Sequence, residues 1–116
     1  MRKILYLFIY IALAMMLYSC NNIEKKSYDN TIFVSIAPLK PIVEAIVGDD
    51  FSVEVLVPAG ASPETFEPTP KQFIALNESV MVLSTGLLDF EKSILQRVHD
   101  QSKVINLSQG IATIAG

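Results

Sequence analysis

From Thr31 onward the apolar positions change rhythm, and each change marks an element. Ile32-Phe33-Val34-Ser35-Ile36 is a nearly continuous apolar run, the pattern of a central parallel strand covered on both faces. Pro38 and Pro41 bracket a turn, and Pro41 suits the first position of a helix carrying Ile42, Val43, Ala45, Ile46 and Val47, stopped at Gly48. Phe51, Val53, Val55 and Val57 then alternate with Ser52 and Glu54, which predicts a strand near a sheet edge, outside Ile32–Ile36. After a Pro-, Gly- and Ser-rich loop, Thr69-Pro70-Lys71-Gln72 is a capping box with proline in the first turn, opening a helix with Phe73, Ile74 and Leu76 on its apolar side. Val80–Leu83 reads as a buried strand, and Leu87, Phe90, Ile94 and Val98 recur at helical spacing. Val104–Leu107 reads as a fourth strand. The order βαβαβαβ predicts an α/β fold, a parallel sheet with flanking helices built from right-handed units. Three short helices are little cover for two faces of four strands, which suggests the front part of a longer protein.

The chain before Thr31 has a different pattern. Arg2 and Lys3 precede Ile4–Leu17, an apolar run with no charge, too short for the roughly 20 residues of a membrane span but of the length of a secretory signal core. Leu17-Tyr18-Ser19-Cys20 follows and resembles a bacterial lipobox. We therefore expect residues 1–19 to be a signal peptide, Cys20 to be lipidated, and residues 20–30, polar and without periodicity, to tether residues 31–116 to a membrane facing the periplasm or cell exterior. Cys20 is the only cysteine, so no intrachain disulfide and no thiolate-rich metal site can form.

Charge narrows the partners. Losing Arg2 and Lys3 takes two positive charges from the formal −3 and leaves −5, with no basic patch for nucleic acid. A mildly acidic body suits cation handling and equally suits ordinary solubility. There is no P-loop, dinucleotide fingerprint or nucleophile–histidine constellation, and an acid–base pair of Glu64 with Glu67 is too little to argue an enzyme.

Ligands of parallel α/β sheets bind at the carboxyl ends of the strands. Of the four loops placed there, Pro58–Pro68 is the longest and holds both glutamates. Its run Pro63-Glu64-Thr65-Phe66-Glu67-Pro68-Thr69-Pro70 resembles the Pro-His-x-aromatic-Glu-Pro-[Ser/Thr]-Pro signature of the zinc/manganese-type solute-binding proteins of ABC importers. Ile42–Asp49 and Gly86–Glu91 are similar to the same family, though each alone is a weak signal.

The resemblance implies the incomplete N-terminal lobe of a two-lobed periplasmic binding protein. It would capture a divalent metal ion, zinc or manganese, for an importer permease, as a monomer and without chemical turnover. It also implies that Glu64 stands where the family has a metal-binding histidine. A carboxylate can coordinate zinc and accepts harder cations such as manganese; the other reading of Glu64 is a solvated loop acid at an altered site. Glu67 matches a glutamate whose expected role is hydrogen bonding within the loop or near the Thr69 helix start. His99, the only histidine, is expected on the surface near the end of the third helix. The remaining ligands of the family would lie beyond Gly116. Two other functions stay open: a metal-dependent surface adhesin-type lipoprotein, and a fragment with no metal-binding function.

Overall fold

The computed structural model describes residues 1–17, 26–112 and 114. Residues Arg2–Leu17 form one helix, α1, whose large apolar side chains, such as Leu5, Phe8 and Tyr10, are exposed. At 16 residues it is about 24 Å long, and no helix among the described residues is long and apolar enough to cross a membrane. Cys20 lies outside the described residues.

The domain alternates strands and helices: β1 (Thr31–Ile36), α2 (Leu39–Val47), β2 (Ser52–Val57), α3 (Pro70–Glu78), β3 (Met81–Ser84), α4 (Asp89–Leu95) and β4 (Val104–Asn106). The sheet is fully parallel in the order β2-β1-β3-β4. The alternating run Ser52–Val57 is therefore outermost, and the continuously apolar β1 lies between two neighbours. Register pairs Phe33 with Glu54 and with Val82.

The crossover from β1 to β2 travels one way across the sheet, and those from β2 to β3 and β3 to β4 travel the other way. Right-handed connections then require α2 on the face opposite α3 and α4. The core divides accordingly. Phe33, Leu56, Leu76, Val82, Phe90 and Ile94 are buried together under α3 and α4, whereas Ile32, Val34 and Val53 meet Val43 of α2 on the other face. That second face is covered only over β1 and β2. Met81 and Leu83 are half-buried there, and Ile105 of β4 is exposed.

Local chemistry sets the helix ends. Thr69 and Gln72 form the expected reciprocal capping box at α3, with Thr69 Oγ1 accepting from Gln72 N at 3.2 Å and Gln72 Oε1 from Thr69 N at 2.9 Å. Gly48 closes α2 at φ 60°, a conformation that costs glycine little.

Three elements depart from the pattern. Helix α2 opens at Leu39 rather than Pro41, which becomes its third residue. A proline is tolerated there because first-turn N–H groups have no helical acceptor. Of its apolar side chains, Val43 is buried while Ile42 and Ile46 face outward. The third predicted helix is shorter than Leu87–Val98: α4 ends at Leu95, and tight turns from Arg97 N to Ile94 O and Val98 N to Leu95 O fold Val98 into the core. The expected tether is docked from Lys26 on. Tyr28 packs against the Phe33 cluster with its ring centroid 6.3 Å from that of Phe33, and Lys26 Nζ lies 2.7 Å from Glu54 Oε1.

Candidate metal-binding groove

The loop after β2 is shaped by its own sequence. Gly60 at φ 87° closes a turn in which Ala61 N donates to Pro58 O at 3.1 Å. Pro63–Thr65 then makes one turn of 3-10 helix, and the chain runs extended into the Thr69 cap. Phe66 is half-buried against the core and pins this stretch to the body. Glu64 and Glu67, on either side of it, remain exposed.

Opposite this loop stand the end of the β3 loop and the first turn of α4. Between them runs an open groove of about 1000 Å³, lined by Glu64, Phe66 and Glu67 on one side and Leu87, Leu88 and Asp89 on the other. It lies at the carboxyl end of the sheet, beside the place where the chain reverses direction across the strands. Open α/β sheets bind ligands at this point.

Glu64 thus sits on the groove wall, solvated, with no ion pair or hydrogen bond among the described residues. Glu67 shares the groove. Its expected hydrogen bonds do not form among those residues: Thr69 N is already bonded to Gln72 Oε1, because the cap on α3 is supplied from within the helix. His99 is exposed beyond the end of α4. Its backbone N donates to Asn77 Oδ1 at 2.9 Å, ahead of β4 and away from the groove lining. No group of three or more His, Cys, Asp or Glu residues that could hold a metal ion is assembled among the described residues.

The opposite wall is held by Glu91, 1% exposed although ionisable. Its carboxylate accepts from Thr85 N at 2.8 Å, Thr85 Oγ1 at 2.7 Å and Leu88 N at 3.3 Å. Ser35, wholly buried at the end of β1, turns its hydroxyl to the same carboxylate. It makes no full hydrogen bond, and it favours the charged form of Glu91. Burial alone would raise the Glu91 pKa. The donors from Ser35, Thr85 and Leu88 outweigh it, so the group is held below its ordinary value and stays charged. A glutamate three residues after the helix boundary is a capping signal legible in sequence. Its burial is not, because that depends on Ser35 arriving from another strand. Beside it, Gly86 at φ 71° lies against Asn106, where an added Cβ would come within 2.1 Å of the Asn106 side chain.

A parallel α/β lobe with an open ligand groove at the strand ends is the fold of a periplasmic binding protein lobe. Residues 32–116, well over half of the chain, match the family of the zinc-uptake complex component A, periplasmic (ZnuA), and the chain belongs to that family. A crystal structure of ZnuA superposes with a TM-score of 0.64 at 36% identity, covering 74% of this chain and 34% of that one. The Mn-bound periplasmic metal-binding protein of Candidatus Liberibacter asiaticus shares the fold, with a TM-score of 0.63 at 22% identity over 74% of this chain and 33% of its own. The manganese-binding lipoprotein MntA of Halalkalibacterium halodurans is 26% identical over 91 residues, 75% of this chain and 30% of MntA. A Thermotoga maritima relative is 36% identical over 61 residues, 23% of its length. The chain thus spans about a quarter to a third of the relatives it matches.

Proposed function

We propose that this chain serves an extracytoplasmic receptor that captures a divalent metal ion, zinc or manganese, and passes it to the permease of an ABC importer. In this reading residues 1–19 direct export, Cys20 carries the lipid, and the lobe supplies Glu64 as its metal ligand. The observation that carries the reading is the placement of Glu64. Phe66 and the 3-10 turn fix the loop while leaving the Glu64 carboxylate exposed on the groove wall, and the loop's resemblance to the family signature sets Glu64 at the histidine position. An anionic oxygen donor suits a hard cation such as manganese better than imidazole does, and still binds zinc.

Tight zinc sites use three or four protein ligands. With one ligand from this lobe, residues 20–116 alone bind zinc or manganese weakly, and the tight form carries a second lobe facing the groove. Titration calorimetry of residues 20–116 and of a form extended by a relative's second lobe tests this. Glu64→Ala is expected to weaken the extended form without unfolding it. Submicromolar binding by residues 20–116 would refute the incomplete site, and an unchanged affinity in the extended Glu64→Ala protein would remove Glu64 from the ligand set.

A further inference from the structure

The segment expected to be a free tether is partly folded onto the domain. Lys26 Nζ bonds Glu54 Oε1 in the middle of edge strand β2 at 2.7 Å, and lies 5.3 Å from the centre of the Tyr28 ring. Tyr28 packs against the cluster under α3 and α4, and its carbonyl accepts from Thr31 N at 2.9 Å. Glu54 is the register partner of Phe33, so the two contacts of the segment fall side by side on one face of β1 and β2. Residues 26–28 therefore form a strap across the open corner of that face.

We propose that this strap sets the reach of the domain from the membrane. The proposal rests on the reading of Cys20 as lipidated. With the strap docked, six residue-to-residue steps lead from Cys20 to the Lys26 contact, a span of at most about 20 Å. With it released, the pivot moves to Thr31, and eleven such steps allow about 36 Å. The contacts are of a kind that opens easily. The ion pair is exposed on both sides and screened by salt, and only the Tyr28 ring gains much by leaving water. Docked, the pivot lies beside the middle of β2; released, it lies at the amino end of β1, opposite the groove. Release thus lengthens the tether and lets the groove stand farther from the bilayer.

The test uses the full processed chain in phosphatidylcholine vesicles, with Ser62→Cys carrying a donor dye and an acceptor lipid in the bilayer. Tyr28→Ser is expected to lower energy transfer, and Tyr28→Phe, which keeps the ring, to leave it at the parent level. Trypsin acting at the Lys25–Lys26 pair gives a second readout. It should release the domain severalfold faster from Tyr28→Ser and from Glu54→Gln than from the parent. A released fragment intact to Gly116 shows that the body stayed folded. Equal energy transfer and equal release in parent and Tyr28→Ser, on chains carrying fatty-acid label, would overturn the strap. Absence of that label would instead end the anchoring reading and the reach proposal together, whatever the protease shows.

Discussion

Replacing Glu91 by alanine removes the group that ties the β3 loop to the start of α4. Two backbone N–H groups at half-buried positions, of Thr85 and Leu88, lose their acceptor, a carboxylate that is itself 1% exposed. Each stranded donor costs about 1–3 kcal/mol, and the bond from Thr85 Oγ1 is lost as well. Water entering the polar space left by the side chain offsets part of this, so we expect a loss of about 3–4 kcal/mol. Small domains have total stabilities near the bottom of the range of about 5–15 kcal/mol, so the variant should keep only about 1–2 kcal/mol and unfold at much lower urea than the parent. Glu91→Gln keeps an oxygen for Thr85 N but turns an amide toward the other donors, and about 1–2 kcal/mol is expected.

Acid should act like the mutation. The Glu91 pKa is depressed on folding, so its contribution is complete above the ordinary glutamate range and is lost as pH falls through the lower folded value. The glutamine variant should lack this part of the acid sensitivity. Urea unfolding followed by circular dichroism, on the chain freed of residues 1–20, measures all three. An alanine variant within about 1 kcal/mol of the parent would refute the reasoning, since no pair of donors could then have been stranded.

Two further outcomes follow from particular positions. Gly86→Ala should destabilise by about 1–2 kcal/mol in the same urea assay, because the left-handed φ of 71° opposes a Cβ and the exposed Asn106 side chain must move aside. Cys20→Ala should abolish metabolic labelling with a fatty acid and release the protein from membranes; equal labelling of parent and variant would rule out Cys20 as the attachment site.

Much of the fold was legible because it is written in local chemistry. The continuous apolar run of β1 and the alternation of β2 gave their relative places in the sheet, and the Thr69–Gln72 box fixed the start of α3. Gly48 marked the end of α2. The same local reading misplaced what long-range packing decides. Pro41 was a reasonable first helical residue, but the helix gains Leu39 as a contact for the sheet by starting earlier. Val98 kept helical spacing with Phe90 and Ile94, yet it reaches the core through turns, which periodicity cannot distinguish from helix. Lys26–Tyr28 lacks apolar periodicity because it packs by one ring and one ion pair. At the groove, the signature loop pointed to Glu64. The acceptor role expected of Glu67 is filled by Gln72, and the buried role falls to Glu91, whose partners converge from β1 and the β3 loop.

The loop around Phe66 separates two kinds of selection. Stability should be sensitive to Phe66, which packs against the body, and nearly indifferent to the neighbouring exposed carboxylate of Glu64. Under the proposal that Glu64 is a metal ligand, a change at position 64 would alter which ion is preferred while leaving the fold untouched. On that proposal, an imidazole and a carboxylate could be exchanged there in a single substitution without disturbing the packing around Phe66.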